Sequence, residues 1–227
     1  MSDDALIDFK LDCWYTGGCP KEFPNCKKTC HRYLEMNCLI NTCGMKHTEK
    51  YLKNIQPAKL DVSSFMRLKE IKDSIVSFTE QGSNLYIGSV NLQTGKTTWS
   101  LKLLYKFFDE IWCGNGFRTR GYFIHVPEFL GKLKDFSFRE TKEYKTIDKC
   151  LKTCDLVIWD DITSQPLTPN EQNILNVYID KRLMEDRANI FNGMYYKGEK
   201  LEQVVGGKLA SRLSESEVIV LKGKSVK

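Results

Sequence analysis

Two short stretches carry residue types suited to a phosphate chain and its metal. The first is Thr94-Gly95-Lys96-Thr97-Thr98, set between the apolar run around Leu85, Tyr86 and Ile87 and a helical pattern that starts near Trp99. A strand, a glycine-bearing turn and a helix opening at that turn form a phosphate cradle: glycine lets the backbone approach an anion, and the first helical amides point at it. Lys96 adds a positive charge and Thr97 a hydroxyl suited to magnesium. The second stretch is Cys154 to Thr163, CDLVIWDDIT, an apolar run ending in Asp160-Asp161. A buried strand of this kind delivers its carboxylates to the edge of a parallel sheet where ligands collect. There Asp160 would hold magnesium and Asp161 would orient or deprotonate an attacking water. Adjacent carboxylates beside a buried strand call for a compensating cation. The match to G-x-x-x-x-G-K-[ST] is incomplete: Val90 stands at the first glycine, and Gly88 lies two residues too early. A wider or tilted loop with weakened nucleotide binding is the expectation.

Cysteines form a third constellation. Six of the nine lie between Cys13 and Cys43. Cys13, Cys19, Cys26 and Cys30, interrupted by Gly17-Gly18, Pro20 and Pro24, describe a loop-rich knuckle that a tetrahedral zinc ion would fold. Four protein ligands leave no open coordination position, so such a zinc is structural and the module it folds is a docking module. Three alternatives stay open: His31 replacing Cys30, a second site drawn from Cys30 or His31 with Cys38, Cys43 and His47, and free thiols without metal.

The rest of the chain must position these groups. At 227 residues there is room for one good-sized domain and a small appendage. The net charge of +5 permits nucleic-acid contact without demonstrating it. No apolar run approaches membrane-crossing length and MSDDALIDF lacks the features of a signal peptide, so a cytoplasmic protein with no membrane association is expected. After a lysine-rich linker, Phe65, Leu68, Ile71, Ile75 and Phe78 recur at helical spacing, with Ser63 or Ser64 as the start. Strands are expected near 85, 123, 157, 190 and 219, alternating with helices, which predicts an α/β fold: a parallel sheet with helices on both faces. Asn192 ends the fourth strand, at the height where a polar side chain could meet a terminal phosphate or its water. His125, inside the second strand, is read as a core or sheet-edge residue. Between Phe136 and Lys145, aromatic Phe136, Phe138 and Tyr144 are interleaved with Arg139, Lys142 and Lys145, a pattern that suits stacking on single-stranded bases; acidic Glu140 and Glu143 dilute it.

The ordered set of phosphate loop, Asp160-Asp161, Asn192 and the run Gly207-Lys208-Leu209-Ala210-Ser211-Arg212-Leu213 resembles the DnaC and IstB-like AAA+ ATPases. With a cysteine knuckle ahead of the ATPase and the run Cys30 to Met36, the chain looks most like phage-type replicative helicase loaders. The resemblance implies an AAA+ P-loop sheet with little or no lid at 83–227, a zinc-binding docking module at 1–50, and a linker and helix at 51–82. It implies ATP, Mg2+ and Zn2+ as cofactors, and a slow, assembly-dependent ATPase that self-associates through the AAA+ domain. A replicative hexameric helicase and single-stranded DNA are the implied partners. On matching positions, Thr94, Gly95, Lys96, Thr97 and Thr98 with Asp160 would bind the nucleotide and its magnesium. Asp161, Asn192 and Arg212 would be catalytic, Arg212 as an arginine finger serving a neighbouring subunit. Arg182 is family-like in position, with subunit or phosphate contact as its widest role. An IstB-like transposition ATPase and a non-hydrolysing nucleotide-binding adaptor are the competing readings.

Overall fold

The structure is a computed structural model that describes residues 30–45, 58–111 and 116–223. Helix α1 (His31–Thr42) comes first; a 3-10 turn (Lys59–Asp61) then leads into α2 (Val62–Asp73) and α3 (Ile75–Glu80). The core alternates β1 (Asn84–Ser89), α4 (Lys96–Ile111), β2 (Gly121–His125), α5 (Val126–Lys132), a 3-10 turn (Phe136–Glu140), α6 (Lys142–Thr153), β3 (Leu156–Asp160) and α7 (Pro169–Met184). It closes with β4 (Ala188–Met194), α8 (Glu199–Val205), α9 (Gly207–Glu215) and β5 (Glu217–Leu221). All five expected strands are present, in one parallel sheet of order β2-β3-β4-β1-β5.

Period-two patterning makes the sheet two-faced. Leu85, Ile87, Phe123, Leu156, Ile158 and Ile190 join a core with α2, α3 and α4, whereas Tyr86, Tyr122, Ile124, Val157, Trp159 and Phe191 pack under α5 to α9. The first core also takes Met36, Leu39 and Ile40 of α1. Residues 31–45, which the sequence groups with the N-terminal module, thus share a core with the sheet. Beyond α1, the Cys43 carbonyl accepts a hydrogen bond from Phe123 N at 2.7 Å, so the chain closes on edge strand β2.

Local signals explain the element ends. Helix α7 opens on a capping box: the Thr168 hydroxyl accepts from Glu171 N at 3.3 Å, and the Glu171 carboxylate accepts from Thr168 N at 2.9 Å. The single helix expected before β1 is two, broken at Ser74, and it starts at Val62 without a serine cap. Its N-cap residue, buried Asp61, instead accepts from Lys222 N (2.7 Å) and Gly223 N (2.9 Å), clasping the end of β5. The helical region around Gly206-Gly207 is likewise split into α8 and α9. Gly206 has a φ of +84°, and a side chain there would also strike Gln172.

Candidate functional site

Strand β1 ends at buried Ser89, and α4 begins at Lys96, so the six residues between them form the loop. Its left-handed positions are Gln93 (φ 61°) and Gly95 (φ 91°). Val90 is not among them, so its side chain carries no steric penalty there and projects outward, 48% exposed. Its amide donates to Leu221 O at 3.2 Å, tying the loop to β5. Gly88 has a separate reason: a Cβ there would lie 2.9 Å from the Tyr195 side chain.

The register brings the charged residues together. Lys96, 8% exposed, donates from Nζ to Ser89 Oγ at 2.7 Å. Burial lowers its affinity for a proton, while Asp161 and Asp160 raise it. The Thr97 hydroxyl donates to Asp160 Oδ1 at 2.9 Å, linking the first turn of α4 to the end of β3. Asp160 is buried, and that burial pushes its carboxyl above the usual carboxylate range, against hydrogen bonds from Asn192 and Thr97. Asp161 follows in the left-handed region at φ 56°, and its amide donates to Asn192 Oδ1 at 3.0 Å. Asn192, itself buried, donates from Nδ2 to Ser100 Oγ at 3.0 Å, so one amide side chain ties β4, the turn after β3, and α4 together.

His125 belongs to the same group. It sits on the rim as the N-cap of α5, with Nε2 3.6 Å from Asp161 Oδ2. Ligand atoms of His125, Asp160 and Asp161 all lie within 4.8 Å of one another. An oxygen-rich set of Thr97, Asp160 and Asp161 fits a hard divalent cation such as magnesium. Thr94 fits a ligand as well: it is 1% exposed, and its hydroxyl has no hydrogen-bond partner among the described residues. A cleft of about 540 Å³ opens beside Thr97, His125 and Asp160. Such a site can hold a phosphate chain and its metal and present a carboxylate to a water.

Other expected residues lie elsewhere. Thr98 is in the first turn of α4, half-buried, and makes no hydrogen bond to the Asp160 or Asp161 side chain. Arg212 is on α9, where NH1 meets Glu215 Oε2 at 3.2 Å and Nε lies 3.8 Å from Asp180 Oδ1; it is outside its own chain's cluster. Arg182 makes no phosphate contact. It is fully buried, at the opposite end of the sheet, where its donors meet the carbonyls of Leu151, Cys154, Asp155 and Ala188 and the Asn189 Oδ1. Cys13, Cys19, Cys26 and His47 lie outside the described residues. Cys30 caps α1, its sulfur accepting from Tyr33 N at 3.5 Å. Cys43 is buried with its thiol pushed up to about 12 by that burial, and its sulfur donates to Ile40 O. Among the described residues, Cys30, His31, Cys38 and Cys43 do not converge on one point. Ser89 and Ser100 are the site residues that sequence reasoning missed, and His125, read as a core or sheet-edge residue, does end the edge strand β2 but also stands beside the two aspartates. A serine ending the strand before a phosphate loop was the one available signal.

No protein-family model matches this chain, and no curated protein does. Solved structures do. The DnaC helicase loader superposes with a TM-score of 0.61 at 21% identity, covering 77% of this chain and 99% of that one. DnaI gives 0.57 at 15% identity, over 79% of this chain and 93% of that one. The replication initiator DnaA bound to AMPPCP and single-stranded DNA gives 0.53 at 14%, over 71% of this chain and 46% of that one. Among the described residues no helix is long and apolar enough to cross a membrane. At these identities the likeness speaks to fold alone: the five-stranded parallel sheet flanked by helices is an arrangement this chain shares with those structures.

Proposed function

We propose that this protein is an AAA+ ATPase that loads a replicative hexameric helicase onto single-stranded DNA, in phage-type replication. One observation carries the reading: Lys96, Thr97, Asp160, Asp161 and Asn192 meet at one edge of a sheet whose fold is that of the DnaC helicase loader. In this reading Lys96 exchanges the Ser89 hydroxyl for the terminal phosphates of ATP. Thr97 and Asp160 hold Mg2+, which neutralises charge on the phosphates. Asp161 orients the attacking water and accepts its proton, with its backbone fixed by Asn192. Thr94, Gly95 and Thr98 complete the cradle. Arg212, outside its own chain's cluster, serves the site of the next copy, which makes hydrolysis slow until copies assemble. A zinc ion on Cys13, Cys19, Cys26 and Cys30 folds the module that docks on the helicase. Single-stranded DNA meets the turn at Phe136, which is 84% exposed.

The test is a helicase-loading assay on a closed circle of single-stranded DNA with zinc-loaded full-length protein. Lys96→Ala is expected to abolish ATP binding and loading while helicase capture through the zinc module persists. Full loading by that variant contradicts the scheme. Capture of a transposase in place of a helicase would move the chain to the transposition ATPases.

A further inference from the structure

We infer that the outer face of α6 and the rim beyond its end form a track for the backbone of single-stranded DNA, running from Phe136 to Phe117. Helix α6 is amphipathic in a way that separates charge. Ile147, Cys150 and Leu151 are buried, whereas Lys142, Lys145 and Lys149 recur at intervals of three and four, which places them along one face, and all three are exposed. The two acids of this helix are engaged off that face. Glu143 meets Lys132 at 2.8 Å, and Asp148 accepts from Tyr178 OH at 2.8 Å and pairs with Lys152 at 2.7 Å. Among the described residues, Lys142, Lys145 and Lys149 make no ion pair.

Both ends of the stripe continue it. Before α6 stand exposed Arg139 and Phe136, the latter 84% exposed. After α6 comes Asp155, a single carboxylate on which three guanidinium groups converge: Arg120 bonds it, while Arg187 and Arg118 stand at 3.7 and 3.8 Å. Arg187 gives its hydrogen bonds to Glu185 Oε2 and Thr153 O, but Arg118, 64% exposed, makes only its long ion pair among the described residues. Phe117, 63% exposed, precedes it. The stripe of unpaired lysines, from Lys142 to Lys149, is thus about 10 Å long at the ordinary helical rise, and an exposed aromatic ring stands in the segment beyond each end of α6. Cations at this spacing match a phosphate backbone, and exposed rings match unpaired bases, so the surface fits a single strand better than a duplex.

The inference rests on the single-stranded DNA part of the proposed function and is independent of nucleotide binding. It is tested by anisotropy of a fluorescein-labelled oligothymidylate titrated with zinc-loaded full-length protein across a salt series. Lys145→Glu with Lys149→Glu, both exposed and away from the core, is expected to weaken binding about tenfold or more. It should also flatten the slope of log affinity on log salt by about 1.4, near 0.7 for each lost phosphate contact. Phe117→Ala is expected to weaken binding about tenfold with the slope unchanged, the mark of lost stacking. The control pair Lys59→Glu with Lys69→Glu, on the opposite side of the sheet, should leave both readouts near wild type. Unchanged affinity and slope in the α6 pair, an equal loss in the control pair, or equal preference for a duplex of the same length would overturn the track. If wild-type protein binds no single strand at all, the DNA part of the loader reading falls with it. ATP binding, read in parallel, should be the same in all variants.

Discussion

Two buried cations at opposite ends of the same sheet are treated in opposite ways. Arg182, under the start of β3 and β4, is completely buried, yet four backbone carbonyls and the Asn189 side chain occupy its donors. Burial, aided by the nearby Arg187 charge and opposed by Cys154, Asp155 and Glu185, pulls its guanidinium down to about 9, and the rigid fork of donors offsets that cost by meeting the acceptors around it. Lys96, at the other end, is nearly as buried, but its ammonium, which has three donors, holds one hydroxyl, that of Ser89. Around it stand a carboxyl with a raised proton affinity, a second carboxylate in a left-handed turn, and a threonine hydroxyl with no partner among the described residues. The contrast teaches how to separate the two kinds of buried charge. One that serves folding is saturated by its own chain; one that serves a ligand is left short of partners.

That contrast can be broken by substitution, beginning where the effect should be largest. Arg182→Ala strands the carbonyls of Leu151, Cys154, Asp155 and Ala188 in the interior and is expected to cost about 3–5 kcal/mol in urea unfolding. A loss under about 1 kcal/mol would mean that the network is incidental. Asp160→Asn should do the reverse. Because the folded state raises the proton affinity of Asp160, its ionised form weakens the ligand-free fold at neutral pH, and the penalty vanishes below the ordinary carboxylate range, where the group is protonated folded or unfolded. The variant should therefore gain about 1 kcal/mol at neutral pH, converge with wild type in acid, and hydrolyse no ATP. Equal or lower stability at neutral pH would show that Asp160 is already compensated within the chain. The smallest effect is expected from Val90→Gly. Since Val90 needs no left-handed backbone, restoring the glycine should leave nucleotide affinity within about threefold and lower stability by up to about 1 kcal/mol through added freedom of the unfolded chain. A large gain in affinity would show that the valine obstructs the loop.

The same contrast marks what could be read before any coordinates. Short apolar runs around Leu85, Phe123, Val157, Ile190 and Ile219 placed all five strands, because a parallel strand covered on both faces buries successive residues. The Gly95-Lys96-Thr97 turn and the Asp160-Asp161 pair were legible for the same reason: each sits where an apolar run ends. Register was not legible. Nothing in the order of residues says that Asn192 reaches the amide of Asp161, that His125 comes within reach of its carboxylate, or that Lys96 folds back on Ser89. Arg182 illustrates the limit most sharply. The family resemblance at its position suggested phosphate or subunit contact at most, and only the packing of α7 against the start of β3 and β4 shows its donors occupied. Val90 looked like damage to a motif because sequence does not report φ.

The most direct test of the account is a calorimetric titration of the full-length, zinc-loaded protein with ATP and magnesium, run beside Lys96→Ala. The account predicts one site per chain in the wild type, at least about tenfold weaker binding in the variant, as expected for a lost bond to a charged group, and an unfolding midpoint in the ligand-free variant no lower than that of the wild type. Equal affinity in the two proteins, or a variant that loses stability as Arg182→Ala is expected to, would contradict it.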